Sequence, residues 1–492
     1  MINHSQKQAI QPDVQANIEA IKRAMSHTQD LIVKRVHLED DDSLVIIYVS
    51  GLSDPAPLLK KITAAKGRKK REKTLVDNVT MIESLAGSRP VNHVTTIDEA
   101  VDELIVGNTV FLFDQFTQAL TVSTVAVNTR SIEEPDNEVT IKGPHDGFNE
   151  SIKNNISLVR FHCPSSRLKV EFRELGTVTK SKIAVLSMQG IANEQILQEV
   201  HERLSRIPYE AILDINYLEE WITDDRITLF PLVESTERPD RVVAALLEGR
   251  VAIMLNGVPM TLIVPYIFFQ TFQVSEDYYW RYHISSVLRL MRLFCALITL
   301  YLPAFFVATI TFHHEFLPTP FLMSIAQGRE PVPYPTLVEV LMMEGVFEIL
   351  REAGIRLPRQ VGSAVSIVGA LVLGQAAVQA GIVSPVTVIL VAFTGISSFT
   401  LPSNSGAYAI RLLRFFIILL AGFLGYIGII MAAIMLLIHL ASLRSFGAPY
   451  LGPLAPFNLQ NSTDVLVRRP LFVNKKRPTL FRVKDRIRFR ND

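Results

Sequence analysis

The sequence predicts an α+β membrane protein, in which a two-lobed mixed α/β cytosolic N-terminal region precedes an all-α polytopic transmembrane domain. Three uncharged runs support this prediction: Leu293–His314, Gln360–Ile410 and Phe415–Leu443. The middle run has 51 residues without Asp, Glu, Lys or Arg, and a bilayer core about 30 Å thick needs roughly 20 apolar residues per helix. The overall values, 20% charged residues and a mean hydropathy of +0.27, average a polar first half with an apolar second half.

The distribution of charge divides the 492-residue chain into four segments. Residues 1–140 and 141–285 are predicted to form the two α/β lobes, residues 286–445 the transmembrane helical domain, and residues 446–492 a basic cytoplasmic tail. Met1–Asp30 lacks the apolar core of a secretory signal. We therefore expect the N-terminal region to stay in the cytoplasm.

The polar half shows the patterns of mixed strands and helices. Helices are expected after Asp54, Thr96 and Asn193, because such side chains accept the free N–H groups of a first helical turn. Runs of β-branched residues predict a hairpin at Thr109–Asp114 and Ala119–Val127. Strands are also predicted at Ser43–Ser50, Ser157–His162, Leu168–Arg173, Lys182–Met188 and Tyr209–Asp214.

The uncharged stretch Val251–Ser275 is a place where hydropathy alone misleads. Asn256-Gly257 in its middle is a strong hairpin signal, and the two prolines Pro259 and Pro265 oppose a helix. We therefore predict a buried hairpin here in preference to a membrane crossing.

Residues that carry chemistry are sparse. Cys163 and Cys295 are the only cysteines, so neither a disulfide framework nor a zinc site is expected, and His162 beside Cys163 is a lone pair. The basic stretch Lys66–Lys73 is interpreted as a solvated loop, with anionic lipid as the alternative partner. It lacks the aromatic interleaving typical of nucleic-acid binding. No catalytic or dinucleotide motif is present, so we expect no enzyme activity and no cofactor.

Four membrane crossings are predicted, and both chain ends are expected in the cytoplasm. Arginines lie at the start of the first crossing, and the tail from Arg468 has ten Lys and Arg against Asp485 and Asp492. Positive residues favour the cytoplasmic side, so the number of crossings is even. The segment Leu401–Ala407 is predicted to interrupt the helices. The predicted crossings are Val287–Phe312, Gly362–Ala380, Pro385–Thr400 and Phe415–Leu440.

The helical segment Thr336–Ala353 has no place in a four-crossing arrangement. Its glutamates are costly at a bilayer centre, so the helix is expected at the interface or facing protein and water. Two interpretations stay open, an amphipathic helix at the surface and a hydrated vestibule whose carboxylates concentrate cations. The arginines that follow favour the cytoplasmic side, which four crossings do not allow. The candidate vestibule carboxylates are Glu339, Glu344, Glu348 and Glu352.

Small residues recur every fourth position in the longest uncharged run. This spacing lets membrane helices pack closely, and the alternative is a pore-lining helix of an oligomer. The pore-lining or helix-packing candidates are Gly362, Ser366, Ala370, Gly374, Gln375 and Gln379.

Seven stretches form an ordered series between residues 143 and 470. They are GPHDGFNE at Gly143–Glu150, FPLVESTERPD at Phe230–Asp240, LLEGR at Leu246–Arg250, EDYYWR at Glu276–Arg281, LMMEGVFEILREAGIRLP at Leu341–Pro358, GQAAVQAGIVSP at Gly374–Pro385 and SFGAPYLGPLAP at Ser445–Pro456. Together they resemble the A subunit of the GerA-family spore germinant receptors. The first 130 residues and the final tail match less clearly.

The resemblance implies a place and a set of partners. The family's A subunit lies in the inner membrane of the bacterial spore, with a permease-like B subunit and a lipoprotein C subunit. The complex senses a small nutrient and triggers ion release and germination, and the A subunit is thought to self-associate around an ion path. The resemblance therefore implies a membrane-bound homo-oligomer in a receptor complex.

Three functions remain in view. The first is a germinant receptor subunit that oligomerises into a nutrient-gated ion channel. A secondary transporter is the alternative, and it predicts paired broken helices in two related halves. A membrane scaffold for a cytosolic signalling domain is the third, and it needs only one crossing.

Overall fold

The computed structural model describes residues 8–37, 43–65, 75–126, 134–135, 137–357, 374–458 and 464–489. Within these residues the chain forms two α/β lobes, then a bundle of helices, and then a tail that returns to the second lobe. A mixed α/β N-terminal region followed by a helical part is therefore confirmed.

The first lobe is a five-stranded antiparallel sheet with helices on both faces. Along β2 alternate residues point to opposite faces, so Val45 and Ile47 pack against one pair of helices and Leu44 and Ile46 against the other. The sheet order is β1-β2-β4-β5-β3. The strands are β1 Leu31–His37, β2 Ser43–Val49, β3 Val91–Val94, β4 Thr109–Phe113 and β5 Ala119–Val122, and the helices are α1 Val14–Ala24, α2 Ala56–Ala65, α3 Leu75–Ala86 and α4 Ile97–Val106.

The second lobe repeats the topology of the first. Its sheet order is β6-β7-β9-β10-β8, and helices precede and separate the strands in the same sequence as in the first lobe. The chain therefore contains a tandem structural repeat. The strands are β6 Leu168–Leu175, β7 Ser181–Met188, β8 Glu234–Thr236, β9 Val251–Leu255 and β10 Thr261–Val264, and the helices are α5 Ile152–His162, α6 Glu194–Ser205, α7 Ile215–Ile222 and α8 Pro239–Leu247.

The predicted local signals act as expected at several element ends. Asp54 Oδ1 accepts the N–H of Ala56 at 3.0 Å, and Asn193 Oδ1 accepts that of Gln195 at 2.9 Å. Thr96 forms a capping box at the start of α4. The predicted hairpin at Asn256-Gly257 joins β9 and β10, and all nine strand residues are buried.

Two predicted strands are wrong. Ser157–His162 lies in the helix α5, because Ile152, Ile156 and Val159 recur with helical spacing and pack into the sheet. Tyr209–Asp214 pairs with neither sheet. Asp214 instead caps α7 by accepting the N–H of Asn216 at 2.9 Å.

A buried ion pair joins the two lobes. Arg160 Nη2 donates to Asp30 Oδ1 at 2.8 Å, and both side chains are almost fully buried. The N–H of Gln29 also donates to the carbonyl of Val170 on the edge strand β6 at 3.0 Å. These buried polar contacts therefore hold the two lobes directly against each other.

The second half of the chain is a helical bundle with an apolar core. Two of its described helices, α9 and α14, are long and apolar enough to cross a membrane, while α13 and α15 are shorter apolar helices. The core forms chiefly between α9, α14 and α15. The helices are α9 Tyr282–Phe312, α10 Thr319–Arg329, α11 Thr336–Arg356, α12 Gly374–Gln379, α13 Pro385–Phe399, α14 Asn404–Leu424 and α15 Tyr426–Ser442.

The contacts at the helix ends define their directions. α9 leaves the second lobe, and its end at His313 stacks on Tyr426, with ring centroids 4.6 Å apart. α15 then returns, since its His439 Nε2 lies 2.9 Å from Thr228 Oγ1 of the second lobe. α11 also runs towards the lobes. Its Leu337 contacts Gly422 near the far end of α14, while Arg351 lies over the ring of Tyr408 near the beginning of that helix.

The predicted helix limits differ from the observed ones at two crossings. The predicted crossing Phe415–Leu440 is divided at Gly425, which has a φ of +61° and separates α14 from α15. The predicted interruption at Leu401–Ala407 is shorter, because Ser403 already caps α14. The predicted crossing Gly362–Ala380 lies outside the described residues except for α12 and its end.

The basic tail packs against the second lobe. A two-residue ladder, β11 Arg444–Ser445 with β12 Ala448–Pro449, leads into it. Arg488 Nη2 lies 2.9 Å from Glu248 Oε1, and Lys484 Nζ lies 2.5 Å from Glu194 Oε1. The tail and the second lobe therefore lie on the same side of the helical bundle.

Candidate functional site in the helical bundle

The centre of the site is an ion pair inside the bundle. Arg414 Nη2 on α14 lies 2.8 Å from Glu344 Oε2 on α11, and neither side chain is exposed. Glu348, one turn further along α11, lies 3.2 Å from the same nitrogen and is 22% exposed. Removing charges from water is costly, so their presence between apolar helices indicates a function.

The polar groups of this pair are only partly satisfied. Among the described residues, Arg414 Nε and Nη1 and Glu344 Oε1 are buried without a hydrogen-bond partner. Buried polar atoms in proteins are ordinarily paired. This pair therefore keeps hydrogen-bonding capacity that the described part of the chain does not use.

Two further arginines extend the network towards the lobes. Arg351 Nη2 donates to Glu348 Oε2 at 2.6 Å, and its guanidinium lies 5.2 Å from the ring centre of Tyr408. Arg411 lies at 4.3 Å from that ring. Arg351 and Arg414 bind the two glutamates, and Arg411 joins them through Tyr408; we call these five charged residues together with Tyr408 the bundle network.

A second carboxylate is buried nearer the far end of the bundle. Glu339 Oε1 accepts the N–H of Ser384 at 2.7 Å, and its other oxygen lies 3.5 Å from Arg329 Nε. Ser384 caps α13. Glu339 therefore connects α11 with α10 and with the beginning of α13.

The structure divides the predicted vestibule carboxylates. Glu339 and Glu344 are fully buried and paired, and Glu348 is partly exposed. Glu352 is 49% exposed and pairs with Arg356 outside the bundle network. An amphipathic helix floating at the surface is therefore a wrong description of α11, which packs against α9, α13 and α14.

The predicted stripe of small residues is only partly described. Its first three members, Gly362, Ser366 and Ala370, lie outside the described residues. Gly374 on α12 approaches Val388 of α13, and Gln375 and Gln379 are exposed. Their role in packing or in lining a pore stays a prediction.

Sequence reasoning missed Arg411 and Arg414, although a signal was present. They are the only charged residues between Gln360 and Leu443. Isolated arginines between long apolar runs indicate that buried acidic partners exist. The glutamates of α11 are the acidic residues of the neighbouring helix that could serve as these partners.

A second charged cluster joins the bundle to the second lobe. Asp277 accepts from Arg289 Nε at 2.8 Å and from Arg292 Nη1 at 2.9 Å, and Asp277 and Arg289 are almost fully buried. Arg289 Nη1 also donates to the backbone carbonyl of Asp464 in the tail at 2.7 Å. We call this cluster the lobe joint, because it ties the start of α9 to the lobe and the tail.

Several of the motifs in the second lobe meet near this joint. Arg238 donates to Asp240 and to the carbonyl of Pro144, and Tyr279 donates to Asp240 Oδ2 at 2.6 Å. Tyr279 also packs on Gly143, where a Cβ would lie 2.6 Å from its ring. The motifs at 143–150, 230–240 and 276–281 are therefore one packed unit.

Two histidines in this lobe pair with carboxylates. The hydrogen bond to Asp146, at 2.6 Å, raises the pKa of His162. The hydrogen bond from His201, aided by Lys169, lowers the pKa of Glu171 to about 2. In the residues that the structure describes, no three His, Cys, Asp or Glu side chains are grouped to hold a metal ion.

The comparisons with known proteins agree with the series of motifs. A family model described as Bacillus/Clostridium GerA spore germination protein matches residues 19–480. Spore germination protein KA of Bacillus subtilis (strain 168) is 42% identical over 97% of this chain and 88% of that protein. Spore germination protein GerLA of Bacillus cereus is 34% identical over 95% of each chain.

A solved structure matches about half of the chain. The crystal structure of the N-terminal domain of the A subunit of the Bacillus megaterium spore germinant receptor GerK3 has a TM-score of 0.42 and 24% identity. It covers 54% of this chain and 98% of that chain.

The fold and the site define an α+β protein with two similar lobes and a charged network inside an apolar helical bundle. The match over nearly the whole chain identifies its family. The chain belongs to the GerA family of spore germination proteins.

Proposed function

We propose that this chain is the A subunit of a nutrient receptor in the inner membrane of the spore. In this proposal it assembles with a permease-like B subunit and a lipoprotein C subunit, and several copies surround an ion path that opens when a nutrient binds. The observation that carries the proposal is the fully buried pair of Glu344 and Arg414 in an apolar bundle. Ionisable residues inside apolar membrane helices commonly mark ion or substrate pathways.

The surface of the bundle supports a location in lipid. Large apolar side chains cover the outer faces of α13, α14 and α15, and extended exposed apolar surface is rare on water-soluble monomers. Five of the most exposed are 65–71% exposed: Ile389, Ile396, Phe423, Ile427 and Ile438. We infer that these faces contact the acyl chains of the bilayer.

The helix directions support more crossings than four. α9 and α14 run away from the lobes, whereas α11, α13 and α15 run towards them. With the crossing predicted at Gly362–Ala380, we propose six crossings. The even number keeps the tail beside the second lobe, and the end of α11, with Arg351 and Arg356, falls on the lobe side. We propose that this side is cytoplasmic.

The bundle network supplies a means of gating. Arg414 binds carboxylates one turn apart on α11, so a small shift of either helix changes which carboxylate it contacts. The lobe joint ties α9, which packs on α14, to the second lobe. We propose that nutrient binding to the receptor complex moves the lobes, and that this motion repacks the bundle network around the ion path.

The germination role is tested in spores. Spores without the gene should lose germination and ion release in response to one nutrient class in a panel of amino acids, nucleosides and sugars. The wild-type gene should restore the response, and the variant E344Q/R414Q should be present in the membrane yet fail to restore it. The exposed pair variant E352Q/R356Q is the matched control and should restore it. If spores without the gene respond to every nutrient of the panel as wild-type spores do, the proposal is contradicted.

A further inference from the structure

A groove lies where the second lobe meets the helical bundle. It has a volume of about 270 Å³ and is formed by the loop at 225–230 on one side and by α14 and α15 on the other. Its walls are almost entirely apolar, and the lining residues include Ile227, Leu229, Phe416, Met435 and His439. None of them belongs to the bundle network or to the lobe joint.

The loop is fixed to the bundle at its ends. Phe230 is buried among Leu440, Leu443 and Tyr450, and Thr228 Oγ1 lies 2.9 Å from His439 Nε2. The N–H of Phe446, just after α15, donates to Asp224 Oδ2 at 2.7 Å. The position of the loop beside the helices is therefore set by several independent contacts.

The middle of the same loop presents apolar side chains outwards. Ile227 is 91% exposed and Leu229 is 50% exposed. On the neighbouring helices, Phe416 is 50% exposed and Ile438 is 65% exposed. The loop and the helices thus form one continuous apolar surface, and the groove opens into it.

Cations lie at the lobe side of the groove. Arg226 is exposed, with its guanidinium 4.9 Å from the ring centre of Trp221, and Arg444 is exposed at the end of α15. The nearby Asp224 is engaged by Arg203 at 2.7 Å, and Asp225 Oδ1 accepts the N–H of Ile227. Guanidinium groups bind phosphate well, so Arg226, beside the lining residues Asp225 and Ile227, and Arg444, five residues after His439, are the candidate phosphate partners.

We propose that the groove binds a membrane phospholipid, with one acyl chain between the loop and the two helices and the phosphate near Arg226 and Arg444. A phospholipid combines a long apolar chain with an anionic phosphate. The chain matches the apolar groove, and the phosphate matches the arginines on its lobe side. The loop at 225–230 then lies in the lipid interface and anchors the second lobe to the bilayer. This inference rests on the proposed location of the bundle in lipid.

Native mass spectrometry of the full chain, purified in detergent with phosphatidylglycerol as the probe, tests the site. Wild type should retain one more bound lipid than M435W, in which the larger ring fills the groove. The matched control is M431W on the same helix, since Met431 and Met435 are both 45% exposed and only Met435 lines the groove. M431W should retain as many lipids as wild type.

A second variant keeps the test decisive if M435W folds poorly. I227D places a carboxylate at the groove on a side chain that packs on almost nothing, so it should fold and lose the lipid. V106D, at a 62% exposed position on the first lobe, is its control. Equal lipid retention by wild type, M435W and I227D overturns the inference, as does wild type that keeps no lipid. In both of these cases, a chain that still needs detergent for its extraction from the membrane keeps its proposed membrane location. Only the assignment of a lipid to the groove then fails.

Discussion

Arg289 Nε donates to Asp277 Oδ2 at 2.8 Å, and both side chains are only 1% exposed. Asp277 also accepts from Arg292, so one carboxylate holds two arginines of the first long helix. The arginines that mark the start of the bundle are thus structural partners of the lobe. This contact ties the lobe directly to the first long helix of the bundle.

Replacement of Asp277 by Asn should therefore destabilise the chain. It removes the carboxylate that both Arg289 and Arg292 bind and leaves the buried Arg289 with the longer 3.5 Å contact to Asp464. Breaking a buried ion pair costs about 3–5 kcal/mol. Thermal unfolding in lipid nanodiscs measures the effect. The control is E202Q, which removes an exposed pair with Arg206 and should change stability by less than about 1 kcal/mol. Equal midpoints for D277N and E202Q would argue against the joint.

The pair of Glu344 and Arg414 should show coupling in a double-mutant cycle. R414M alone leaves the buried Glu344 carboxylate without its arginine, while Glu348 keeps Arg351, and E344Q/R414M removes the Glu344 charge as well. The double variant should therefore lose less stability than the sum of the single variants, by about 0.5–3 kcal/mol. The exposed pair of Glu352 and Arg356 is the control cycle, and its coupling should be about 0.3–0.5 kcal/mol. Additive effects at both pairs would contradict the network.

Stability should depend on Glu171 at acid pH. Its folded-state pKa is about 2, below the ordinary value of 4.5, because His201 and Lys169 bind the carboxylate. A lowered pKa contributes stability that is present above about pH 4.5 and lost as pH falls towards 2, on the order of 1–3 kcal/mol. Unfolding midpoints at several pH values measure this loss. E171Q should flatten the dependence between pH 4.5 and 2, while E174Q on the same strand should leave it as in wild type.

Two glycines should respond to alanine with opposite signs. Gly257 in the β9–β10 hairpin has a φ of +97°, and no described atom lies near its Cβ position, so G257A should cost about 1–3 kcal/mol through backbone strain alone. Gly345 lies inside α11, and among the described residues no atom lies near its Cβ position either. G345A should stabilise that helix by about 0.5–1 kcal/mol. Destabilisation by G345A equal to that of G257A would contradict the helix.

The features of the fold that depend on residues close in sequence could be predicted from the sequence. Thr96 and Asn193 cap helices through contacts within three residues, and the hairpin follows from Asn256-Gly257 alone. The segment Ser157–His162 is short and has apolar residues compatible with a strand, whereas its burial pattern follows the helix that begins at Ile152. Propensity is a weak signal when tertiary packing decides.

The site was predictable only in part, because its partners are distant in sequence. The glutamates of α11 were identified as unusual, but their setting depends on Arg414, 66 residues after Glu348. The proposed six crossings would give α11 and its glutamates a place inside the bundle. The role of Asp277 was missed for the same reason, since a carboxylate in a loop gives no sign that it will be buried by a helix that follows.

The most direct test of the ion path is a current measurement on the purified receptor complex in planar bilayers. Nutrient addition should open discrete conductance steps in wild type, and E344Q/R414Q should abolish or lock them while E352Q/R356Q leaves them intact. A bilayer that stays silent with every nutrient of the panel, although the wild-type complex is shown to be folded and inserted, would contradict the proposal.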